Sequence, residues 1–389
     1  MSKSRAHALL PALQHDESAR QSFVAEFRRH LSTRVMPGTY QLYKRSVEPE
    51  FQRAHGRAPQ DQHEIRKLME RQSYYQFWSA MQRRSQELMW ESVIEPTERS
   101  LPELIDKSQR LALRARQARH KSLGIKRATH GSLRLDPHLV VPRYHTAADI
   151  HLQPGGYHTD FAENDVAAGA LYDAALPIYS NGTSGLENDS LGNVLLQFFL
   201  QQFPGHKPRR LLDLGCAIGN SILPWARHFP DCEVQAIDVA APVLRYAHAR
   251  AEALSVVVHF SQQNAEHTAF ESGSFDLVLS HIMLHETSRS ALPNILRECH
   301  RLLRPGGVML HLEIPRGRNA LEKFLYNWET HNNNETFAGF MTDLDLRALA
   351  VAAGFDPQHA INRDFARPRD AGPSLYSEEF QWKILTARR

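Results

Sequence analysis

Residues 211–219 read Leu-Leu-Asp-Leu-Gly-Cys-Ala-Ile-Gly, and no other run limits the fold as tightly. Leu211, Leu212 and Leu214 make a short apolar strand. Small residues follow at Gly215, Ala217 and Gly219, ahead of a helix-compatible stretch at 220–227. Small residues at a strand-to-helix corner bring backbone close to a ligand and leave N–H groups free to face it. A dinucleotide fingerprint would need glycine at 217 and a small residue at 220, where the chain carries Ala217 and Asn220. A phosphate loop would end in Gly-Lys-Ser/Thr, which is absent here. Asp213, two residues before the first glycine, suits a cationic ligand better than a pyrophosphate.

A second β-rich run at 233–238 ends in Asp238, about twenty residues after the loop, where α/β nucleotide folds place an acid that accepts from two ribose hydroxyls. A helical segment over 241–254 and a short strand over 256–260 follow. The run Gln262-Gln-Asn-Ala-Glu266 then falls in a strand-end loop, where an amide or carboxylate can accept from an adenine amino group. A fourth strand spans 274–280. Thr287 or Ser288 caps a helix that carries Leu292, Ile295, Leu296, Cys299, Leu302 and Leu303 on one face. Pro305-Gly306-Gly307 turns the chain into a fifth strand over 308–314. This alternation from 208 to 314 predicts an α/β fold, a doubly wound Rossmann-like and mostly parallel sheet with helices on both faces.

Leu-Asp-Leu-Gly-Cys-Ala-Ile-Gly219, Ala-Ile-Asp238, Ser-Phe-Asp-Leu-Val-Leu-Ser-His281 and Arg-Leu-Leu-Arg-Pro-Gly-Gly-Val308 resemble the ordered motifs of class I S-adenosylmethionine-dependent methyltransferases. The resemblance is nearest to the small-molecule branch that includes quinone C-methyltransferases. It covers residues 190–316 well, and 344–355 and 381–387 match the closing helix and strand of the same fold. It implies that S-adenosyl-L-methionine is the cofactor. Asp213 and the backbone from Gly215 through Ala217 to Gly219 would hold its methionine part. Asp238 would hold the ribose, Val239 would lie beside the adenine, and Asn264 and Ala265 would meet the adenine edge. Ser280 and His281 would flank the sulfonium. Two departures stand out: Asn264 replaces a frequent aspartate, and Ala217 a frequent glycine.

Methyl transfer asks for in-line alignment and a dry site, and for proton removal when the nucleophile is an N–H, O–H or C–H group. The candidate bases are His281, His285 and Glu286, just past a strand end where open parallel sheets bind ligands. Glu313, ending the fifth strand, is a further acceptor. His285 and Glu286 could equally organise the next helix start, where an acid is favoured, and a soft neutral nucleophile would need no base.

The first half differs in character. Residues 1–150 hold 26 Lys and Arg against 16 Asp and Glu, a net +10, and the remainder carries −7. The densest basic stretch, 107–134, contains no acid and includes Arg110, Arg114, Arg116, Arg119, Lys121, Lys126 and Arg127. It would either bind nucleic acid or pair, as a solvated helix face, with the acidic half; no aromatic-rich RNA-binding motif accompanies it. Stripes of Phe23, Val24, Phe27 and Leu31, and of Tyr40, Tyr43, Val47 and Phe51, mark helices. Asp61 caps another, and Tyr74, Phe77, Trp78, Met81, Leu88, Met89 and Val93 continue at helical steps until Pro96. The chain thus divides into a mainly α-helical cap or dimerisation domain at 1–120, a linker and lid at 121–189, and the methyltransferase domain at 190–389.

Within the linker, Tyr157, Tyr172 and Tyr179 are placed near the donor, and 327–335 forms a second lid candidate. His145, His151 and His158 lack an acid or cysteine at zinc-like spacing, so no metal is expected. Cys216, Cys232 and Cys299 are scattered, as in reduced cytoplasmic proteins. Neither a signal segment nor a membrane span is evident, so a cytoplasmic location and no membrane partner are expected. The functional expectation is methyl transfer to a small-molecule acceptor, the alternative being an RNA or protein methyltransferase that docks its substrate on the basic half, with a homodimer possible.

Overall fold

The computed structural model describes residues 7–121, 129–315, 317–366 and 381–389; Lys126 and Arg127 of the basic stretch lie outside them. Its strands are β1 (Ser132–Arg134), β2 (Arg210–Leu214), β3 (Glu233–Asp238), β4 (His259–Gln262), β5 (Phe275–His281), β6 (Leu303–Glu313), β7 (Ile361–Ala366) and β8 (Gln381–Arg388). They form one sheet in the order β1-β4-β3-β2-β5-β6-β8-β7. All pairs are parallel except β6 with β8 and β7 with β8. The N-terminal helices are α1 (His15–His30), α2 (Met36–Leu42), α3 (Glu48–His55), α4 (Gln62–Met69) and α5 (Ser73–Lys121). Next come α6 (Arg143–Thr146), α7 (Ala167–Tyr179), α8 (Ser190–Gln202), α9 (Leu223–His228) and α10 (Ala241–Ala253), then α11 (Ala291–Leu302), α12 (Ala320–Asn332) and α13 (Leu346–Ala352).

Strand alternation sorts the core. Leu212, Leu214 and Val278 point to one face, where the apolar stripe of α11 (Leu292, Ile295, Leu296, Cys299) and Leu346 of α13 cover them. Leu211, Leu277 and Leu279 point to the other, against Val194 and Phe198 of α8, Trp225 of α9 and Leu244 of α10. Helices therefore lie on both faces of a mostly parallel sheet, as the alternating pattern predicts. Local boundaries shift: the strand expected at 256–260 pairs from His259, and the helix after the glycine loop starts only at Leu223. Ala217 at φ 44° and Gly219 at φ 72° keep the intervening residues out of helix. Much of the 327–335 lid candidate forms the last turns of α12.

The N-terminal region is helical, and Asp61 caps α4 by accepting from the backbone N–H groups of His63 and Glu64. Pro96, however, does not end its helix; α5 runs straight through Pro96 and Pro102. A helical proline leaves the carbonyl four residues earlier without its partner. Here the Ser92 carbonyl accepts from Gln21 Nε2 of α1 at 3.1 Å, so a neighbouring helix supplies the missing donor. Part of the aromatic stripe faces outward: Phe23, Tyr40, Tyr74 and Phe77 are exposed. Lys107 and Arg110 pair with Glu103 and Asp106, one turn back on the same helix, and not with the acidic half.

Among the contacts that fasten this region to the sheet domain, one is aromatic and one polar. Trp78 of α5 stacks on Trp328 of α12, ring centres 3.5 Å apart, in a cluster with Tyr43, Ile65, Met69 and Phe324. The second is polar. Asp173 of α7 accepts from His7 Nε2 (2.9 Å), Tyr246 OH (2.9 Å), Arg250 Nε (2.8 Å) and Asn188 Nδ2 (2.7 Å). Burial would raise its pKa, but Arg250, His7 and Asn188 outweigh burial and hold it well below the usual range. Asp173→Ala strands a buried guanidinium and should cost about 3–5 kcal/mol, measured by urea unfolding at neutral pH. Because the folded pKa is depressed, the contribution is present above the ordinary aspartate range and fades as pH falls through the folded value. A variant as stable as the parent would refute this.

Candidate active site

The strand order reverses at β2, which pairs with β3 on one side and β5 on the other. Open α/β sheets bind ligands at such a point, beyond the carboxyl ends of the strands. Leu214 lies level with Ile237 and Ser280, so Gly215, Asp238 and His281 emerge side by side at that edge. A cavity of about 770 Å³ opens there. It is lined by Asp213, Gly215, Ala217, Asp238, Val239, Ala265, His281, His285 and Glu286, all expected from the sequence. Asp213 and Asp238 thus share one chamber.

Asp238 reaches back across β2: Oδ2 accepts from the Ala217 N–H at 2.9 Å and Oδ1 from the Ala240 N–H at 3.0 Å. The first bond holds Ala217 in a left-handed conformation that costs a non-glycine residue about 1 kcal/mol. Asp213 is different. It is 1% exposed, its Oδ1 accepts no hydrogen bond among the described residues, and His281 Nδ1 lies 3.4 Å away. Burial pushes its pKa up, against the pull of His281. A buried carboxylate short of donors beside an open chamber fits a ligand that brings cationic N–H groups.

Three expected residues do not line the cavity. Gly219 is set against the core, where a Cβ would meet the Phe260 ring at 3.0 Å. Asn264 spends its Oδ1 on the Glu266 N–H in a tight turn, and Gln263 and Ala265 take the cavity wall instead. Ser280 is fully buried on the other sheet face, its Oγ 2.7 Å from His311 Nδ1. Period-two alternation forbids adjacent Ser280 and His281 from sharing a face. Gly215 does line the chamber, yet a Cβ there would also strike Met283 Cγ at 2.3 Å, so its smallness serves packing as well as ligand approach.

After β5 the chain folds back over the chamber through Ile282, a β-branched residue held at φ 47°. This delivers His285 and Glu286. His285 Nδ1 lies 2.7 Å from Glu313 Oε2 and its Nε2 3.3 Å from Glu286 Oε1, while Glu313 Oε1 accepts from the Leu284 N–H. Burial opposes charge on His285, but Glu313 and Glu286 prevail and push its pKa well above the usual histidine value. Both ring nitrogens are therefore already engaged with carboxylates.

The roof comes from sequence far away. His151 sits at φ 57° and Leu152 at φ 59°, and the His151 carbonyl accepts from Gln86 Nε2 (3.0 Å) and Trp90 Nε1 (2.7 Å) of α5. Its ring turns inward: Nδ1 is 2.5 Å from Tyr157 OH, and Nε2 is 3.4 Å from Glu286 Oε1 and 3.3 Å from Glu335 Oε1. Tyr172 and Tyr179 complete this wall, and burial pushes the phenols of Tyr157, Tyr172 and Tyr179 up. His145 and His158 pack against each other at 5.7 Å and do not join His151. Gln86, Met89 and Trp90 also line the chamber, unannounced by the sequence, where they look like one more helical stripe. Among the described residues no helix is long and apolar enough to cross a membrane.

Residues 211–307 match the family model described as a methyltransferase domain. The chain is 34% identical over 172 residues to demethylmenaquinone methyltransferase of Thermus thermophilus, covering 40% of this chain and 77% of that one. It is 25% identical over 193 residues to tRNA N(3)-methylcytidine methyltransferase Mettl2 of Drosophila melanogaster, covering 46% of this chain and 58% of the fly protein. A solved O-methyltransferase family protein from Burkholderia thailandensis superimposes with a TM-score of 0.43 at 17% identity, over 73% of this chain and 71% of that one. With its four motifs in order along the sequence, the chain belongs to the class I S-adenosylmethionine-dependent methyltransferases.

Proposed function

We propose that this chain methylates a small-molecule acceptor. The observation that carries the proposal is the shared chamber, open at the donor loop and roofed by α5 and the 144–191 segment. Its volume falls in the range of small-molecule sites. Asp213 receives the ammonium end of the donor, Asp238 the ribose hydroxyls, and Val239 and Ala265 flank the adenine. When bound, S-adenosylmethionine supplies a methyl on a positive sulfur, which leaves as a neutral thioether once the acceptor's lone pair takes the methyl. The protein's share is alignment and exclusion of water. His281, against Asp213, belongs to the donor side, whereas His285, Glu286, Tyr157 and Tyr172 face the acceptor.

The fly relative's name and the basic stretch speak for an RNA substrate. Against that, Arg119 and Arg134 line a separate cleft with His259 and Arg210 at the β1–β4 edge, away from the chamber mouth. A phosphate-binding surface would need to lead to the methyl.

Three measurements test the proposal. Asp213→Asn removes a buried carboxylate without a full set of donors, so the ligand-free protein should gain about 1 kcal/mol in thermal unfolding. The same variant should bind S-adenosylhomocysteine about tenfold more weakly in calorimetry. Unchanged affinity would take Asp213 out of the donor site. Asp238→Ala should weaken the same binding by about 1–3 kcal/mol. For the acceptor, methyl-labelled donor is incubated with protein and a cell extract; label in the small-metabolite fraction is expected, and label confined to RNA or protein would overturn the small-molecule assignment.

A further inference from the structure

The donor side of the chamber uses Asp213 and Asp238; the roof carries a second group of acids that binding the donor does not explain. His151 Nε2, an oxygen of Glu286 and an oxygen of Glu335 all lie within 4.8 Å of one another. The three come from the 144–191 segment, the loop after β5 and the turn after α12. A single imidazole nitrogen thus faces two carboxylates, and Glu286 Oε1, itself a buried atom, lies near His151 Nε2 and His285 Nε2 without a well-formed hydrogen bond to either. His285 Nε2 and the Asn333 amide flank the two carboxylates as well, yet two converging acids remain poorly compensated in a largely desolvated wall.

We propose that His151, Glu286 and Glu335 bind a divalent transition-metal cation of the Zn²⁺ type. The spacing is the first reason. Ligands about 2.1 Å from a tetrahedral ion stand about 3.4 Å apart, and the two His151–carboxylate separations are 3.4 and 3.3 Å. The second reason is the surrounding shell. A ligating histidine ordinarily engages its other nitrogen, and ligating carboxylates are themselves hydrogen-bonded. Tyr157 OH meets His151 Nδ1, His285 Nε2 stands 3.3 Å from Glu286, and Asn333 Nδ2 donates to Glu335 Oε1 at 3.2 Å. The third is backbone strain: His151 and Leu152 are consecutive left-handed non-glycine residues, clamped by Gln86 and Trp90. Strain of this kind persists where the surroundings over-determine it, and it clusters at ligand sites. One nitrogen and two carboxylate oxygens also balance a double positive charge. Three protein ligands leave a fourth position facing the chamber, the pattern of an ion that binds a substrate.

An acceptor hydroxyl or thiol held at that position would lose its proton to water more readily and present its lone pair for methylation. That use of the ion rests on the methyl-transfer assignment; binding of the ion does not, so the two can fail separately.

The test is titration of chelator-treated full-length protein with Co²⁺ and then Zn²⁺. One Co²⁺ per chain should bind with the intense visible bands of a four-coordinate nitrogen–oxygen site, and Zn²⁺ should displace it. His151→Ala and Glu335→Gln should each weaken binding by about 100-fold or more, while S-adenosylhomocysteine binding in calorimetry reports that the fold and the donor site are intact. Weak, non-stoichiometric Co²⁺ uptake by the wild type, or variants that bind as tightly, would overturn the proposal. Should a variant not fold, the wild-type spectrum and stoichiometry decide alone. Metal binding without methyl transfer would leave this site standing and count against the function proposed above.

Discussion

Parallel pairing of β5 with β2, with β3 and β4 carried to the other side, places the 215–219 loop and the 282–286 loop at one crevice. A sheet wound in simple succession would bury that edge against the next crossover and leave no room for a ligand. The core sustains the arrangement because the inner strands are buried on both faces, and each face has its own helical cover. Asp238 then ties the end of β3 to the loop after β2, so that loop is fixed by the neighbouring strand as well as by its own residues. Its two backbone bonds are charge-assisted, the stronger kind.

The helical N-terminal region takes part in the chamber directly. Gln86 and Trp90 lock the His151 carbonyl, and the Trp78–Trp328 stack sets α12, whose following turn presents Glu335. Asp173 adds a polar anchor between α7, α10 and His7. A helix that looks like a separate cap in one dimension therefore positions side chains from two distant segments. The wall it shapes is aromatic and acidic, a surface that favours a cationic group such as a sulfonium.

Much of this cavity wall is legible in the sequence because its signals are local. A short apolar strand, small residues at a corner and an acid at the next strand end are read from neighbours in the chain, and Asp213, Asp238, Val239 and Ala265 do share one cavity. Where structure and sequence pattern part, the causes are physical. Ser280 and His281 are adjacent in a strand and so face opposite ways, and the Asn264 amide closes a turn. Pro96 does not end its helix, because a donor from another helix serves the freed carbonyl.

The sheet, its helical cover and the acids near the ends of β2 and β3 follow from the order of residues alone, since periodicity and corner residues act over a few positions. Packing between distant segments is what makes His151, Glu286 and Glu335 meet, sets Gly219 on Phe260, and roofs the chamber with α5. Those contacts join residues far apart in the chain. Their spacing carries no pattern, because the distance between them is set by how layers pack and not by the rise of any one element.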